Sequence, residues 1–318
     1  MVCLLVLAIS TLLVPFAVFA HPIYSHGSST HIHRRETPEL DILFEGNRQF
    51  RSSIEGSDPG LLKKLSDDGQ APPFMFIGCS DSRASEGTIF NAKPGTFFTE
   101  RNIANQFHST DANSLTVLSY AVSVLGVKHV VVMGHYGCGG VAAAIATPPS
   151  APVDAANGAV QNWIDPIRDL FRTSTRPEIV ELRERNRNLT VVEESDIKEP
   201  GFRALVEENV KENVRRIASD TVISNHYALL ATGTNSTAKR ADHHGGPPAE
   251  VFIHGWIYDI ENGQITDLAV STGPPGVPIP PTPFAAGIKP AEASVKTTRA
   301  SCEQLCKVKR SLLGKLPW

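Results

Sequence analysis

The sequence predicts an α/β domain with a mostly parallel central β-sheet, flanked by helices and closed by an antiparallel edge strand. Two short apolar runs, Phe74 to Ile77 and His129 to Met133, each lead into a glycine, as is typical of central strands covered on both faces. Amphipathic helical segments lie around and between these strands. Asn262-Gly263 between two strand-like segments is a hairpin signal and predicts the antiparallel edge.

Length and composition fit one globular domain. The chain has 318 residues, of which 41% are hydrophobic and 20% are charged. This is enough apolar sequence for a sizeable core. The formal net charge of -3 and the lack of a basic block argue against a nucleic-acid partner or a polybasic membrane role. We therefore expect a small-molecule partner.

Residues 1–20 are predicted to be a secretory signal peptide. They are almost wholly apolar and end in Ala17-Val18-Phe19-Ala20, with small residues at the usual cleavage positions. A retained signal anchor is the alternative, but Ser10, Thr11 and Pro15 interrupt the apolar run, so we expect no stable membrane span. The sequence thus predicts a secreted, extracellular protein.

The next segment, residues 21–36, is predicted to be a flexible His-rich leader. Its Ser, Thr and Gly residues fix no ligand geometry, so we assign it no metal site. The sequons Asn188-Leu-Thr190 and Asn235-Ser-Thr237 would allow N-glycosylation of a secreted protein, although such triplets also arise by chance.

Residues 37–273 are predicted to form the folded domain. A leading helix begins near Thr37, where Pro38 and Glu39 suit a first turn. The later elements follow from apolar spacing and from glycine and proline stops. They are a strand at Phe97–Arg101, helices at Asn113–Leu125, Val141–Ala146, Trp163–Phe171 and Phe202–Ile217, a strand at Val251–Ile253, and the hairpin of Trp256–Ile260 with Gln264–Ser271.

Two segments are predicted to lack regular structure. Residues 231–249 are rich in Thr, Ser, Gly, Pro and His, which indicates an exposed loop. Residues 274–318 are Pro-rich at their start and are predicted to be a disordered tail. Cys302 and Cys306 in this tail could be oxidised together or pair with another chain, and their spacing settles neither.

Chemically capable side chains follow both central strands. Cys79 ends the first strand, and His135 and Cys138 follow the second, so neighbouring strand ends would present all three together. Two thiolates and one imidazole suit tetrahedral zinc, and three protein ligands leave one position open, as in catalytic zinc sites. We therefore predict one Zn2+ per chain. An oxidising compartment leaves a Cys79–Cys138 disulfide as the second interpretation.

Asp81 and Arg83 lie in the turn that follows Cys79. The guanidinium could hold the carboxylate ionised and oriented beside the metal, a pairing that a disulfide would not require. Gly139 and Gly140 open the next helix, where free backbone amides suit an anion.

These residues resemble the β-class carbonic anhydrases. The family pattern is Cys-x-Asp-x-Arg followed some fifty residues later by His-x-x-Cys, and both halves occur here in order, each after an apolar strand. The resemblance extends from about Glu39 to Ser271. Further landmarks of the family are Pro94-Gly95, Arg101-Asn102-Ile103-Ala104-Asn105, and the run Ile253 to Ile260.

The resemblance implies zinc-dependent, reversible hydration of carbon dioxide to bicarbonate and a proton, which is a lyase activity. The family's zinc ligands match Cys79, His135 and Cys138. Its catalytic pair matches Asp81, which would orient the attacking oxygen and take up its proton, and Arg83, which would order Asp81.

The resemblance also implies a substrate pocket and an assembly. Gln70, Phe98 and Tyr120 match the pocket positions of members with an open zinc site, of the plant-like type, and the amide of Gly139 would contact the bound anion. Packing alone would make Phe98 and Tyr120 core residues. The family implies a homodimer or larger homo-oligomer, in which the leading helix reaches over the partner subunit.

Other interpretations keep the same residues. Some members of the family close the site with the aspartate that corresponds to Asp81. Gly78 is compatible with that type, whereas Phe76 stands where those members usually carry tryptophan. A hydrolase of carbonyl sulfide or carbon disulfide would use the same zinc ligands, and a non-catalytic zinc- or anion-binding protein is the remaining alternative.

Overall fold

The computed structural model describes residues 38–232 and 249–287. By its contacts the chain divides into two compact units, residues 1–59 and 60–318. In the first unit, helix α1 (Pro38–Ser57) carries two acidic residues, Glu39 and Asp41, in its first turn, which suits the positive end of the helix dipole. This is the leading helix that the sequence predicts.

The second unit is built on a five-stranded sheet, and the predicted fold class is confirmed. The strand order is β2-β1-β3-β4-β5, with β1 to β4 parallel and β5 antiparallel to β4. Consecutive valines at 130–132 favour the strand conformation in the centre of the sheet. The strands are β1 (Phe74–Cys79), β2 (Phe97–Asn102), β3 (His129–His135), β4 (Phe252–Tyr258) and β5 (Ile265–Asp267).

The chain changes direction across the sheet at β1, because β2 lies on one side of β1 and β3 on the other. The carboxyl ends of β1 and β3 are therefore neighbours at a switch point, where open α/β sheets bind their ligands. This topology decides where the functional side chains meet.

The helices surround this sheet, and side chains fix several of their starts. Asp111, Asp154 and Asp220 accept hydrogen bonds from backbone amides in the first turns of α4, α6 and α9. The helices are α2 (Leu61–Asp68), α3 (Glu86–Ile89), α4 (Ala112–Tyr120), α5 (Gly139–Ile145), α6 (Ala155–Thr173), α7 (Pro177–Asn186), α8 (Pro200–Ser219) and α9 (Thr221–Ala231), with a 3-10 turn at Ile103–Asn105 and a π-helical turn at Ala121–Leu125.

Two hydrophobic clusters cover the two faces of the sheet. The larger cluster includes Met75 and Ile77 of β1 and the apolar stripe of α8, and it contains most of the buried core. The smaller cluster has Phe76, Val131, Met133 and Trp256 at its centre. Each fully buried aliphatic or aromatic side chain of this size contributes about 1.5–3 kcal/mol.

The carboxyl-terminal end of the domain differs from the prediction. The sequence predicts that the second strand of the hairpin reaches Ser271, but β5 ends at Asp267 because Ala269 takes a left-handed backbone conformation with φ 55°. The sequence also predicts a disordered tail from residue 274, but residues 274–287 are described and pack on the domain.

Phe284 explains this difference, because its ring meets the ring of Trp256 edge-on at 4.8 Å between centroids. The hydroxyl of Thr282 also donates to the Asp267 carboxylate at 2.7 Å. Phe284, the single aromatic residue of this Pro-rich stretch, thus packs against the smaller cluster and holds the segment on the domain.

Several predictions lie outside the described residues: the signal peptide, the His-rich leader, the sequon at Asn235, most of the 231–249 loop, and Cys302 with Cys306. Among the helices that the structure does describe, none has both the length and the apolar character that a membrane crossing needs.

Candidate metal centre

The ends of β1 and β3 bring three potential metal ligands together. Cys79 is the last residue of β1, His135 is the last residue of β3, and Cys138 immediately precedes α5. Between the last two, Gly137 takes a φ of 74°, and a Cβ there would lie 2.6 Å from the side chain of Ile197. A glycine is therefore required for the turn that directs Cys138 back towards His135.

The spacing of the three ligand atoms fits one metal ion. They all lie within 4.8 Å of one another, and all three residues are buried. The Sγ atoms of Cys79 and Cys138 are 3.9 Å apart. Two sulfurs bound tetrahedrally to one zinc ion, each at about 2.3 Å, would be separated by roughly 3.8 Å. Both cysteines are free, and their separation is far longer than the roughly 2.05 Å of a disulfide bond.

The imidazole of His135 is oriented for metal binding. Its Nδ1 lies 3.0 Å from the carbonyl oxygen of Tyr136. A carbonyl can only accept, so Nδ1 donates, and Nε2 of the neutral ring carries the free lone pair. This Nε2 is buried and has no hydrogen-bond partner among the described residues. A buried polar atom without a partner is unfavourable unless something binds it, and a metal ion would do so.

The protonation of the two sulfurs also supports a metal ion at this site. The hydrogen bond from Cys138 lowers the pKa of the Cys79 thiol despite its burial. The neighbouring Cys79 sulfur and burial raise the pKa of Cys138. Two thiolates this close repel each other strongly at low dielectric, so both can be deprotonated only with a cation between them. The donor set therefore fits zinc.

Asp81 and Arg83 form a rigid pair beside the triad. The Arg83 Nε and Nη2 atoms donate to the two Asp81 carboxylate oxygens at 3.0 and 2.7 Å, and the Arg83 backbone amide donates to Oδ1 at 2.9 Å. These bonds, led by that from the guanidinium, lower the pKa of Asp81 to about 2. Asp81 Oδ2 lies 3.7 Å from His135 Nε2, so an ionised carboxylate faces the position of the metal.

The predicted pocket residues are brought together only in part. The rings of Phe98 and Tyr120 stack with centroids 5.7 Å apart, and Tyr120 is 44% exposed. Gln70 is exposed between α2 and β1, and within the described residues no hydrogen bond joins it to the other two. Gly139 is the first residue of α5, and apart from its chain neighbours and its own helix backbone, nothing lies within 4 Å of the position that a Cβ would take there.

Some supporting residues are not singled out by the sequence. Arg101 belongs to a family landmark, but its position in the chain alone indicates no role. In the structure its guanidinium donates to the carbonyl oxygens of Cys79 and Asp81 at 3.0 and 2.7 Å. Its place at the carboxyl end of the strand beside β1 is the signal that could have identified it.

Tyr136 is a second such residue, and α8 holds it. The Arg203 guanidinium lies 3.4 Å from the centre of its ring, and its hydroxyl donates to Glu207 at 2.7 Å. Because Tyr136 stands between the candidate ligands His135 and Cys138 in the chain, these contacts anchor their loop to α8. They join residues about 70 positions apart, so no local pattern predicts them.

Comparisons with known proteins agree with this geometry. Residues 74–232 match the family model described as carbonic anhydrase. A carbonic anhydrase of Emericella nidulans is 34% identical over 72% of this chain and 83% of the relative. A solved Coccomyxa β-carbonic anhydrase is 26% identical, with a TM-score of 0.57 over 74% of this chain and 89% of that one. One of the tetrameric β-carbonic anhydrases of Sordaria macrospora is 27% identical, with a TM-score of 0.55 over 74% of this chain and 100% of that one.

The family model covers half of the chain, and the Emericella relative is matched over most of its length. The described domain has the β-carbonic anhydrase fold, and the Cys-His-Cys triad stands at its switch point. The chain therefore belongs to the β-class carbonic anhydrases.

Proposed function

We propose that this carbonic anhydrase hydrates carbon dioxide reversibly at one zinc ion held by Cys79, His135 and Cys138. The observation that carries the proposal is the buried, unpartnered Nε2 of His135, which lies among two thiol sulfurs and faces an ionised carboxylate. The relatives from Emericella, Coccomyxa and Sordaria are carbonic anhydrases, which supports this reaction over hydrolysis of carbonyl sulfide or carbon disulfide.

Each residue of the site has a definite task. Bound zinc supplies a Lewis acid that makes a water molecule nucleophilic near neutral pH. Asp81, ionised because Arg83 donates to it, accepts a hydrogen bond from the attacking water and orients it towards the carbon of the substrate. The backbone amide of Gly139, at the start of α5, would contact the anionic product.

We further propose the open form of the site. Arg83 occupies both carboxylate oxygens of Asp81, and binding of that carboxylate to the metal would disturb this bidentate pair. Gln70, Phe98 and Tyr120 would then line the substrate pocket. Because Gln70 is exposed and no hydrogen bond joins it to the other two within the described part of the chain, we propose that the pocket is completed in a homodimer or larger assembly. The tetrameric Sordaria enzymes support such an assembly.

We also propose that the protein is secreted after removal of residues 1–20. The apolar leader and its small-residue cleavage site support this route. The sequon at Asn188 lies in an exposed turn after α7, where a glycan could be attached.

Metal analysis and a stopped-flow assay of carbon dioxide hydration test the central proposal. We expect one zinc per chain and hydration activity that disappears with Cys138→Ser, because serine is a poor zinc ligand at neutral pH. A metal-free protein with Cys79 and Cys138 in a disulfide would overturn the site. A zinc-loaded wild-type assembly without hydration activity would instead indicate a non-catalytic zinc protein.

A further inference from the structure

The turn that carries Cys79 and Asp81 is held by two arginines in different ways. Arg83 binds the Asp81 side chain, whereas Arg101, from the neighbouring strand β2, binds the main chain. The Arg101 Nε donates to the Cys79 carbonyl at 3.0 Å and its Nη2 donates to the Asp81 carbonyl at 2.7 Å. One planar guanidinium thus spans the segment from a metal ligand to the catalytic carboxylate.

A second layer of contacts supports Arg101. Glu86 of α3 accepts a hydrogen bond from the Thr99 hydroxyl at 3.0 Å through Oε1. Its Oε2 lies 3.9 Å from Arg101 Nη1, is buried, and makes no hydrogen bond in the described part of the chain. The Arg101 side chain is 27% exposed and that of Glu86 is 16% exposed. The Arg101 guanidinium therefore binds the Cys79 and Asp81 carbonyls through Nε and Nη2, and its Nη1 faces the Glu86 carboxylate.

We propose that Arg101 is a positioning residue for the hydration reaction, because it fixes the backbone of the Cys79–Asp81 turn and so places the Asp81 carboxylate relative to the metal. The inference rests on the proposed function. Arg83 orients the carboxylate within the turn and also donates to the Gly137 carbonyl at 3.2 Å, which joins the pair to the loop after β3. On the β2 side, the Ser80 amide donates to the Asn102 carbonyl at 2.9 Å, and Arg101 adds its two bonds beyond that point, one of them to Asp81 itself. Without Arg101, we expect the Asp81–Arg83 pair to survive as a unit but to shift relative to the metal.

The size of the effect follows from the chemistry of supporting residues. Removing a partner that orients a metal ligand or catalytic group commonly lowers activity by about 10- to 100-fold, and displacement of a reacting group by about 1 Å has an effect of similar size. Arginine suits this task because its flat fork can reach two carbonyls at once, whereas the ammonium of lysine is a single point.

Arg101→Gln tests the proposal, and Arg168→Gln is a matched control. Arg168 also donates to two backbone carbonyls, those of Ala143 and Ala146, at 3.0 and 3.3 Å, but at the far end of α5. We expect Arg101→Gln to retain about one zinc per chain and lose about 10- to 100-fold in kcat/KM. Arg168→Gln should lower the melting temperature and leave kcat/KM of the folded enzyme within about twofold. Arg101→Lys should recover part of the loss, because it keeps one donor and the charge.

A second readout does not depend on activity. Cobalt(II) in place of zinc has thiolate charge-transfer and visible bands that respond to ligand geometry, so Arg101→Gln should shift these bands and Arg168→Gln should not. Should Arg101→Gln not fold, Arg101→Lys and Glu86→Gln carry the same comparison with smaller expected shifts.

The outcomes separate the inference from the proposed function. Wild-type kcat/KM and an unchanged cobalt spectrum in folded Arg101 variants would overturn the positioning role, as would an equal loss in Arg168→Gln. A wild-type enzyme that binds zinc without hydrating carbon dioxide would overturn the proposed function, while the cobalt spectra would still report whether Arg101 fixes the turn.

Discussion

The direction of one imidazole nitrogen decides what the metal triad can bind. The His135 Nδ1–H is engaged by the Tyr136 carbonyl, so the lone pair on Nε2 must point towards the two sulfurs. Tyr136 is itself held by stacking against Arg203 and by its bond to Glu207. Tyr136, which offers no atom to the triad, thus sets the orientation of a proposed zinc ligand.

The meeting of the three candidate ligands can be predicted from sequence because each stands next to a strand end, and parallel strands end at the same edge of a sheet. The contacts that orient them cannot be predicted in this way. Helices α5, α6 and α7 lie in the chain between Tyr136 and its partners Arg203 and Glu207, and such long-range contacts leave no periodic signal.

Asp81→Asn should retain zinc and lose most of the hydration activity. Asparagine has nearly the same size, but its amide carries no charge and cannot accept a hydrogen bond at both terminal atoms. We expect kcat/KM to fall by about 100- to 10,000-fold, the range that proton transfer by a positioned side chain contributes. Zinc content and stopped-flow hydration over a range of pH measure this. Unchanged turnover at every pH would remove Asp81 from the reaction.

The two glycines that open α5 should respond differently to alanine. A Cβ on Gly140 would lie 2.7 Å from Ile103 Cγ2 and 3.2 Å from the Cβ of Ala104, whereas a Cβ on Gly139 would meet nothing within 4 Å. Ala104 is fully buried in a left-handed conformation and has little freedom to move. Gly140→Ala should therefore lower the unfolding free energy by about 1–3 kcal/mol.

Gly139→Ala is the control and should leave the unfolding free energy nearly unchanged, because the added methyl group has open space. Urea unfolding of both zinc-loaded variants at one protein concentration makes the comparison, and zinc content shows whether the displaced helix start carries Cys138 with it. Equal stability of the two variants would contradict the role of close packing at Gly140.

At the level of elements, α8 is the scaffold of the site. Its apolar stripe packs under the sheet, and its polar residues reach the loops that form the metal centre. Asn209 and Asn213 lie on its buried face, four residues apart, and their partners are backbone groups of the loop after β2. The contacts are Arg203 and Glu207 with Tyr136, Asn209 Nδ2 with the Ala104 carbonyl at 2.9 Å, and the Phe107 amide with Asn213 Oδ1 at 2.9 Å.

The apolar period of α8 is visible in the sequence and predicts the helix. The two asparagines interrupt that apolar period, and only the fold shows why. A buried amide side chain needs a hydrogen-bond partner. These two find theirs in the loop after β2, where Ala104 and Asn105 have positive φ. The end of the hairpin is a case in which the sequence pattern predicts a longer strand than the structure has. Its length depends on Ala269, whose left-handed conformation is not a preference of alanine and comes from its surroundings.

A pair of histidines between β3 and β4 should make stability depend on pH. His254 is only 4% exposed. Its Nε2 lies 3.0 Å from His129 Nδ1, and its Nδ1 lies 3.0 Å from Ser271 Oγ, both within hydrogen-bond distance. Burial, together with His129, lowers the pKa of His254 to about 4, with a partial opposing effect from Asp267. Burial and Lys128 also lower the pKa of His129.

The direction of this pH effect on stability follows from the number of protons that each state binds. The unfolded chain protonates His254 below its ordinary pKa of about 6.5, whereas the folded chain does so only near 4. Between these values the unfolded state binds more protons, so this group lowers stability as pH falls from about 6.5 towards 4, by at most about 1.4 kcal/mol per pH unit.

Urea unfolding of the wild type and of His254→Gln at several pH values between about 7.5 and 4.5 measures this effect. Both proteins share the metal site, so its own protonation cancels in the difference. We expect the wild type to lose stability more steeply than the variant as the pH falls. Parallel curves would show that the buried histidine is not responsible.

At the scale of the whole molecule, two groups of exposed side chains suit the proposed assembly. Tyr120, which stacks on Phe98, is 44% exposed, and Gln70 is exposed as well. In α1, large apolar side chains are strongly exposed, among them Leu43 at 69% and Phe44 at 75%. Apolar side chains exposed along one helix would suit an interface with a second chain.

Association should depend on the apolar side chains of α1. Phe44→Asp should convert the zinc-loaded assembly into smaller species and abolish hydration, because an aspartate buried at an interface is strongly unfavourable and a twofold interface contains it twice. Ser52→Asp, at an exposed position of the same helix, is the control and should leave both assembly and activity intact. Sedimentation velocity, zinc analysis and stopped-flow hydration on the same samples, repeated over serial dilution, provide the measurement.

If the pocket is shared between subunits, activity must follow the fraction of associated protein. A zinc-loaded monomer with full turnover would show that Phe98 and Tyr120 serve only their own chain, and the shared pocket would have to be abandoned.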